Sequence, residues 1–335
     1  MQKLLIIQTA FIGDVVLATG LLESIHEAYP NAKIDVLVRN GNESLFTGHP
    51  FVHQVLVWQK KQDKYRNLMK LAIAVRKASY DTVINLQRYA ATGWITCFSG
   101  AREKIGFNKN PFRFCYTRTI HHSMDADKGV HEINRNFQLI AHVKGIQLKK
   151  PALYPTASDL AKVLPYQVQP YICIAPSSVW ATKQFPKEKW VAFLDALPKA
   201  IKVYVLGGPG DMLICDEIIK ASISENAHNL AGKLNFLASA ALMKNALMNY
   251  VNDSAPMHFC SSVDAPVTAI YCSTVPGFGY GPLSSTSHIV EVKQTLDCRP
   301  CGLHGKTACP QGHFNCGFQI EIAQLMATLP ALTKQ

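Results

Sequence analysis

The sequence is short of acid and has no long apolar run. Against 34 Lys and Arg stand 23 Asp and Glu, leaving a formal charge of +11 with the 12 His neutral. Such a deficit of negative charge favours an anionic partner: a nucleic acid, an anionic membrane surface or a phosphorylated small molecule. No apolar stretch approaches the ~18–20 residues of a membrane span. The opening MQKLLIIQTAFIGD has neither the longer h-region nor the small-residue cleavage site of a signal peptide. It reads as a first β-strand, and the protein is expected to stay in the cytoplasm. The pattern GxGxxG is missing after that strand, which argues against a standard dinucleotide dehydrogenase. Short repeats and low-complexity tracts are missing too. With 48% hydrophobic and 17% charged residues, the chain can bury a large core, which excludes disorder as its main state.

A length of 335 residues suits two domains. In the first half, strand and helix patterns alternate. Strands are expected at Lys3–Thr9, Lys33–Arg39, Val52–Trp58 and Asp81–Leu86. A helix carries Val15, Ala18, Leu22, Ile25 and Tyr29 at helical spacing, and a basic amphipathic helix covers Lys64–Ala78. Four prolines in Pro151–Pro170 (Pro151, Pro155, Pro165, Pro170) suggest a linker. The grammar then restarts. Strands are expected at Tyr171–Ala175, Ile201–Leu206, Leu247–Asn252 and Ala265–Tyr271, with helices at Lys187–Leu197 and Leu234–Asn245. Strands alternating with helices imply parallel sheets covered on both faces. The expected architecture is α/β, two Rossmann-like domains over residues 1–160 and 161–335, with parallel sheets facing a central cleft. Ligands bind beyond the carboxyl ends of such strands, where helix N-termini point.

Three such loops carry unusual residues. In Ala10-Phe11-Ile12-Gly13-Asp14-Val15, Gly13 permits close approach. Asp14 begins a helix, either as a cap or as a carboxylate able to take a proton from a substrate hydroxyl. In Pro176-Ser177-Ser178-Val179-Trp180-Ala181-Thr182-Lys183, the hydroxyls and the Lys183 charge suit a phosphate, or form ordinary surface. In Asn252-Asp253-Ser254-Ala255-Pro256-Met257-His258, a helix starts with Pro near its first position, and its N–H groups suit a diphosphate. Asp253 is an odd neighbour for an anion; it caps the helix or accepts from sugar hydroxyls. His258 donates to a phosphate or is structural.

Taken in order, Phe-Ile-Gly-Asp, the Ser-Ser…Thr-Lys-x-x-Pro loop, Ala231-Gly232-Lys233 and Asn-Asp-Ser-Ala-Pro-Met-His resemble the glycosyltransferase family 9 heptosyltransferases over most of the chain. The resemblance implies a GT-B fold and inverting, metal-independent transfer of heptose from ADP-heptose to an inner-core sugar of a lipid-anchored lipopolysaccharide acceptor. No cofactor is implied. It makes Asp14 the catalytic base. Ser177, Ser178, Lys183, Gly208, Asp253, Ser254, Ala255 and His258 become donor-binding residues, with Met257 as packing in the same motif. Gly13, His131 and Arg135 are assigned to the acceptor side. Two departures bear on the donor. Ala255 stands where Gly is common, and Gly207-Gly208-Pro209-Gly210-Asp211 lacks a Glu found there in some members; Asp211 substitutes for it or caps a helix.

Of the ten cysteines, Cys97, Cys115, Cys173, Cys215, Cys260 and Cys272 are expected to be buried reduced thiols. The remaining four, Cys298, Cys301, Cys309 and Cys316, have the spacing of a structural zinc site but equally of reduced thiols or oxidised disulfides. Basic residues crowd the first half: Arg66, Lys70, Arg76 and Lys77 on one helix, then Arg88, Arg102, Lys104, Lys109, Arg113, Arg118 and Lys128. They suit a phosphorylated glycolipid acceptor and an anionic inner-membrane surface, to which the enzyme is expected to be peripheral. A nucleic-acid partner is not expected, since no recognisable module is present. The rivals are a transferase for another nucleotide sugar, a nucleotide-sugar epimerase, and a non-catalytic basic protein binding nucleic acid or membrane.

Overall fold

The computed structural model describes residues 2–60, 63–124 and 129–331; Lys128 lies outside them. The chain divides into two compact units that meet in sequence at Tyr154 and Pro155.

In the first unit, β1 (Lys3–Ile7), α1 (Ile12–Ala28), β2 (Lys33–Arg39), β3 (Val52–Trp58), α2 (Lys64–Lys77), β4 (Thr82–Asn85), α3 (Ala90–Phe98), β5 (Glu103–Phe107), β6 (Arg118–Ile120) and α4 (Glu132–Phe137) follow one another. The strands form one sheet in the order β3-β2-β1-β4-β5-β6, with every pair parallel. β1 is central because Leu4, Leu5, Ile6 and Ile7 have no polar face to show water; each is buried. α1 is buried along most of its length, from Val15 to Leu22 and at Ser24 and Ile25. Gly20 allows residues 149–151 to pass close by: a Cβ there would lie 2.8 Å from the Lys149 carbonyl oxygen. Ala152 and Lys149 then donate their N–H groups to Thr19 and Ser24 of α1.

The second unit holds α5 (Ala157–Val163), β7 (Tyr171–Ala175), α6 (Lys187–Ala196), β8 (Lys202–Val205), α7 (Met212–Ala221), β9 (Ala227–Asn229), α8 (Phe236–Lys244), β10 (Asn249–Asn252), α9 (Ala255–Val263), β11 (Val267–Tyr271), β12 (Ser287–Glu291), α10 (Asn315–Phe318) and α11 (Ile322–Met326). Its parallel sheet runs β12-β11-β10-β7-β8-β9. Counted from its own first strand, this is the order of the first sheet. The core packs Trp190, Phe193, Phe185 and Tyr250 between the sheet and α6. Both sheets have a switch point, between β1 and β4 and between β7 and β10, where connections leave in opposite directions and ligands bind.

The expected strands and helices are present with ends shifted by one or two residues. Strands β5, β6, β9 and β12 were not expected. β6 and β9 are three-residue edge strands, and the first three residues of β12 are exposed, so neither length nor alternation marks them. The proline-rich stretch is not wholly linker: Thr156 and Asp159 form a capping box that starts α5 inside it. The expectation of six buried thiols is corrected at two of them. Cys97 and Cys115 form a disulfide, with Cα atoms 5.4 Å apart. Both are only half-buried, where the end of α3 meets the loop before β6. Cys173, Cys215, Cys260 and Cys272 are buried and free, and burial raises each thiol pKa. Among the described residues, no helix is long and apolar enough to cross a membrane.

Candidate functional site

In the first unit the switch-point loops follow β1 and β4. Phe11 is the N-cap of α1 and gives no side-chain cap, so Gly13 and Asp14 occupy the second and third helical positions. There Asp14 sits in the first turn, where the helix dipole favours its ionised form. Three side chains from neighbouring strand ends converge on this loop. Asn42 donates to the Ala10 carbonyl at 3.2 Å. Lys60 donates to the Thr9 carbonyl at 2.6 Å. Arg39 lies over the Phe11 ring, 4.7 Å from its centroid. Burial lowers the Arg39 pKa and the Asp14 carboxylate opposes the shift, so the two charges feel each other. Burial, then Arg39, then Lys64 push the Lys60 pKa down to about 8. Across the switch point, the Gln87 amide donates to the Gln8 side chain. No motif in the sequence marks Arg39 or Lys60, although each stands at or just past the carboxyl end of a strand.

His131 and Arg135 lie on α4, which packs against α1. His131 is the N-cap, its Nδ1 accepting from the Ile133 N–H at 3.3 Å. Arg135 is buried, donating to Glu132 at 2.7 Å and to the Val130 carbonyl at 2.5 Å. Burial raises the Glu132 pKa, but hydrogen bonds from His122 and Arg135 and the Arg135 charge outweigh it, and the carboxyl stays below its ordinary value. These contacts hold the start of α4 together, with Glu132 and Arg135 buried.

In the second unit the loops after β7 and β10 are joined by one ion pair. Lys183 Nζ lies 2.6 Å from Asp253 Oδ2, with the side chains only 15% and 8% exposed. Thr274 donates to the same carboxylate at 2.7 Å. Asp253 therefore does not cap α9. The N-cap is Ser254, which makes no side-chain cap, and Pro256 occupies the second helical position. Buried Asn252 ties the loops from beneath, accepting from the Phe185 N–H and donating to the Pro176 carbonyl. Ser177 and Ser178 are half-buried on the loop before Lys183. Ser177 Oγ has no hydrogen-bond partner among the described residues. Ala255 is the first residue of α9; His258 and Met257 are buried on it, and the Met257 sulfur accepts from Tyr271 at 3.5 Å. Gly208, past β8, donates its N–H to Asp211 at 2.7 Å, so Asp211 acts as a cap. Gly207 must lack a side chain, since a Cβ would meet that of Asp211 at 2.7 Å.

A connection invisible in the sequence runs from the cysteine-rich segment to Lys183. Arg299 anchors the segment to the end of β11 through the Cys272 and Thr274 carbonyls. Further along, Lys306 donates its N–H to Thr182 Oγ1 at 2.7 Å and accepts from the Thr182 N–H. Ser273 also donates to Thr182. The cysteines themselves are free. Cys298 Sγ lies 4.0 Å from His313 Nε2, and burial first, then the neighbouring thiols, raise the Cys301 and Cys316 pKa values. Among the described residues, no three His, Cys, Asp or Glu side chains are placed to hold a metal ion. A shallow depression of about 570 Å³ elsewhere on this unit, between Tyr166, Tyr204, His228 and Lys233, includes none of the donor-loop residues.

These arrangements can be compared with known proteins. Lipopolysaccharide heptosyltransferase 3 of Escherichia coli (strain K12) is 25% identical over 282 residues, covering 78% of this chain and 80% of its own. A glycosyl transferase family 9 structure from Veillonella parvula superposes with a TM-score of 0.83 at 19% identity, covering 98% and 96% of the two chains. The E. coli ADP-heptose lps heptosyltransferase II structure gives 0.76 at 20% identity, covering 98% of each. The two sheets are thus those of the heptosyltransferase GT-B fold. Residues 68–308, about seven-tenths of the chain and including both second-unit loops, match glycosyltransferase family 9 (heptosyltransferase), and the chain belongs to that family.

Proposed function

We propose that this glycosyltransferase moves heptose from ADP-heptose, or a related nucleotide sugar, to an inner-core sugar of lipopolysaccharide, with inversion and without a metal or other cofactor. The Lys183–Asp253 pair at the second switch point carries the reading. A shielded ammonium beside the first turn of a helix suits a diphosphate. As the diphosphate takes up Lys183, the Asp253 carboxylate is released to accept from ribose or sugar hydroxyls. Ser177, Ser178, Ser254, Ala255 and His258 line the same loops, Met257 packs beneath them, and Gly208 leaves room beside them. The second unit is therefore assigned to the donor.

The first unit is assigned to the acceptor. Asp14 takes the proton of the acceptor hydroxyl as its oxygen attacks the anomeric carbon. The bond from that carbon to the diphosphate breaks, and ADP departs on the opposite face. Gly13 lets the acceptor approach, and Arg39 and Lys60 attract its phosphates. His131 and Arg135 act on the acceptor side as a frame behind α1. The acceptor is lipid-anchored, so the enzyme works on the cytoplasmic face of the inner membrane as a peripheral protein, with no nucleic-acid partner. A solved relative of the same fold is named for its ADP-heptose donor, which favours heptose over another nucleotide sugar.

Thermal denaturation with a panel of nucleotide sugars tests the donor. At roughly 100 times its Kd, a ligand adds about 2.7 kcal/mol. ADP-heptose is expected to stabilise where UDP- and GDP-sugars do not. Stabilisation by a UDP-sugar alone would replace the donor; no response to any nucleotide sugar would overturn the reading.

A further inference from the structure

Helix α2 carries an apolar row that the core does not use. Leu68, Ala72 and Val75 face inward, packed with Trp58, Val83 and Ile95. On another face, Tyr65, Met69 and Ile73 stand at i, i+4 and i+8, one above the next, exposed by 78%, 52% and 49%. Single exposed apolar side chains are ordinary; a row of three large ones on one helix is not. Arg66, Lys70 and Lys77 flank the row and are exposed. The whole helix, KYRNLMKLAIAVRK, has five Lys or Arg and no acid. At its end, Arg76 donates to the Phe98 carbonyl of α3 at 3.2 Å, and the Phe98 side chain is half exposed.

We infer that this face of α2 is where the protein docks on an anionic phospholipid bilayer, Tyr65, Met69 and Ile73 entering the headgroup–acyl boundary and the basic side chains meeting lipid phosphates. Charge decides the occupant. A second copy of the chain docked through the same face would set Arg66, Lys70 and Lys77 against their own copies. The sugar–phosphate backbone of a nucleic acid would meet the cations but give Met69 and Ile73 nothing apolar. An anionic bilayer satisfies both halves of the face, since long basic side chains reach the headgroups while apolar ones sink past them. The inference rests on the lipid-anchored acceptor proposed above for its purpose, but not for its test.

The test uses the full chain, without donor or acceptor, mixed with phosphatidylcholine vesicles containing phosphatidylglycerol or with phosphatidylcholine vesicles alone. Co-sedimentation is expected with the first and to be weak with the second. The double variant Met69→Ser, Ile73→Ser is expected to lose about tenfold in vesicle affinity; so is Arg66→Glu, Lys70→Glu. Both should keep the parent melting temperature, and Met69→Ser, Ile73→Ser should keep the parent transfer rate on a lipid-free acceptor. The wild-type chain ignoring anionic vesicles would overturn the docking face. So would variants that bind like the parent, or a dimer in sedimentation that the Met69 and Ile73 substitutions abolish. Because binding and transfer are read separately, failure of one leaves the other standing.

Discussion

The first unit joins its two switch-point loops with uncharged amides, Gln87 donating to Gln8. The second joins the corresponding loops with a shielded ion pair, Lys183 to Asp253. The strand order is the same in both, so the difference lies in the loops and not in the scaffold. An amide bridge holds loops in place and has no net charge to offer a ligand. An ion pair also holds loops in place, but each half can be traded for a ligand group of the same sign. One fold used twice thus sets a carboxylate near an arginine in one unit and a shielded lysine–aspartate pair in the other.

The sharpest way to break that division is to remove one charge from each unit. Asp14→Ala should reduce the rate of transfer by roughly 10²–10⁴ while leaving stabilisation by donor intact. Lys183→Ala should abolish stabilisation by donor. It also leaves Asp253 buried without its cation, so urea unfolding should show a loss of roughly 3 kcal/mol. The comparison fails if Asp14→Ala loses the donor response or Lys183→Ala keeps it.

A second, smaller effect tests whether the cysteine-rich segment belongs to the donor site. Gly305 has φ +75°, and a Cβ there would lie 3.1 Å from Lys183 Cγ and from Thr182 Oγ1. Gly305→Ala should push the segment off Thr182, displace Lys183 and weaken donor binding about tenfold, a loss on the scale of one disrupted polar contact. Gly302 has φ +90° with nothing within 4 Å, so Gly302→Ala strains the backbone equally and should leave donor affinity alone. Isothermal titration with donor separates the two; equal losses would reduce the effect to backbone strain.

Much of this was legible without coordinates. Continuous apolar strands announced both sheets, and the loops after β1, β7 and β10 carried their own signals in Asp14, Lys183 and Asp253. What the sequence could not give is pairing across distance. Lys183 and Asp253 are 70 positions apart, and Thr182 and Lys306 meet across 124. Arg39 and Lys60 were hidden for another reason: each looks like surface charge until the parallel order sets β2 against β1 and β3 next beyond it, with their carboxyl ends on one side. Cys97 and Cys115 misled because apolar residues stand near them in sequence, while the fold leaves both only half-buried and joins them in a disulfide.

The mildest prediction separates the two units by pH. Lys60, paired with the Thr9 carbonyl and 4.7 Å from the Trp58 ring centroid, is held by burial, Arg39 and Lys64 at a pKa of about 8, below the 10.5 usual for lysine. Below pH 8 it is a cation at the loop that leads from β1 into α1; above, it is neutral. If it attracts acceptor phosphates, KM for acceptor should rise a few-fold between about pH 7 and pH 9, on the scale expected of a partly screened charge, with KM for donor unchanged. Lys60→Arg, charged throughout, should flatten the rise, and Lys60→Met should raise KM at every pH. Stability moves the other way. The unfolded chain binds this proton more tightly than the folded one between pH 8 and 10.5, so Lys60 burdens the fold below pH 8, and the burden lifts as pH rises through that window. A loss of acceptor affinity that accompanies rising stability is not unfolding, and a flat KM in the parent would remove Lys60 from the acceptor side.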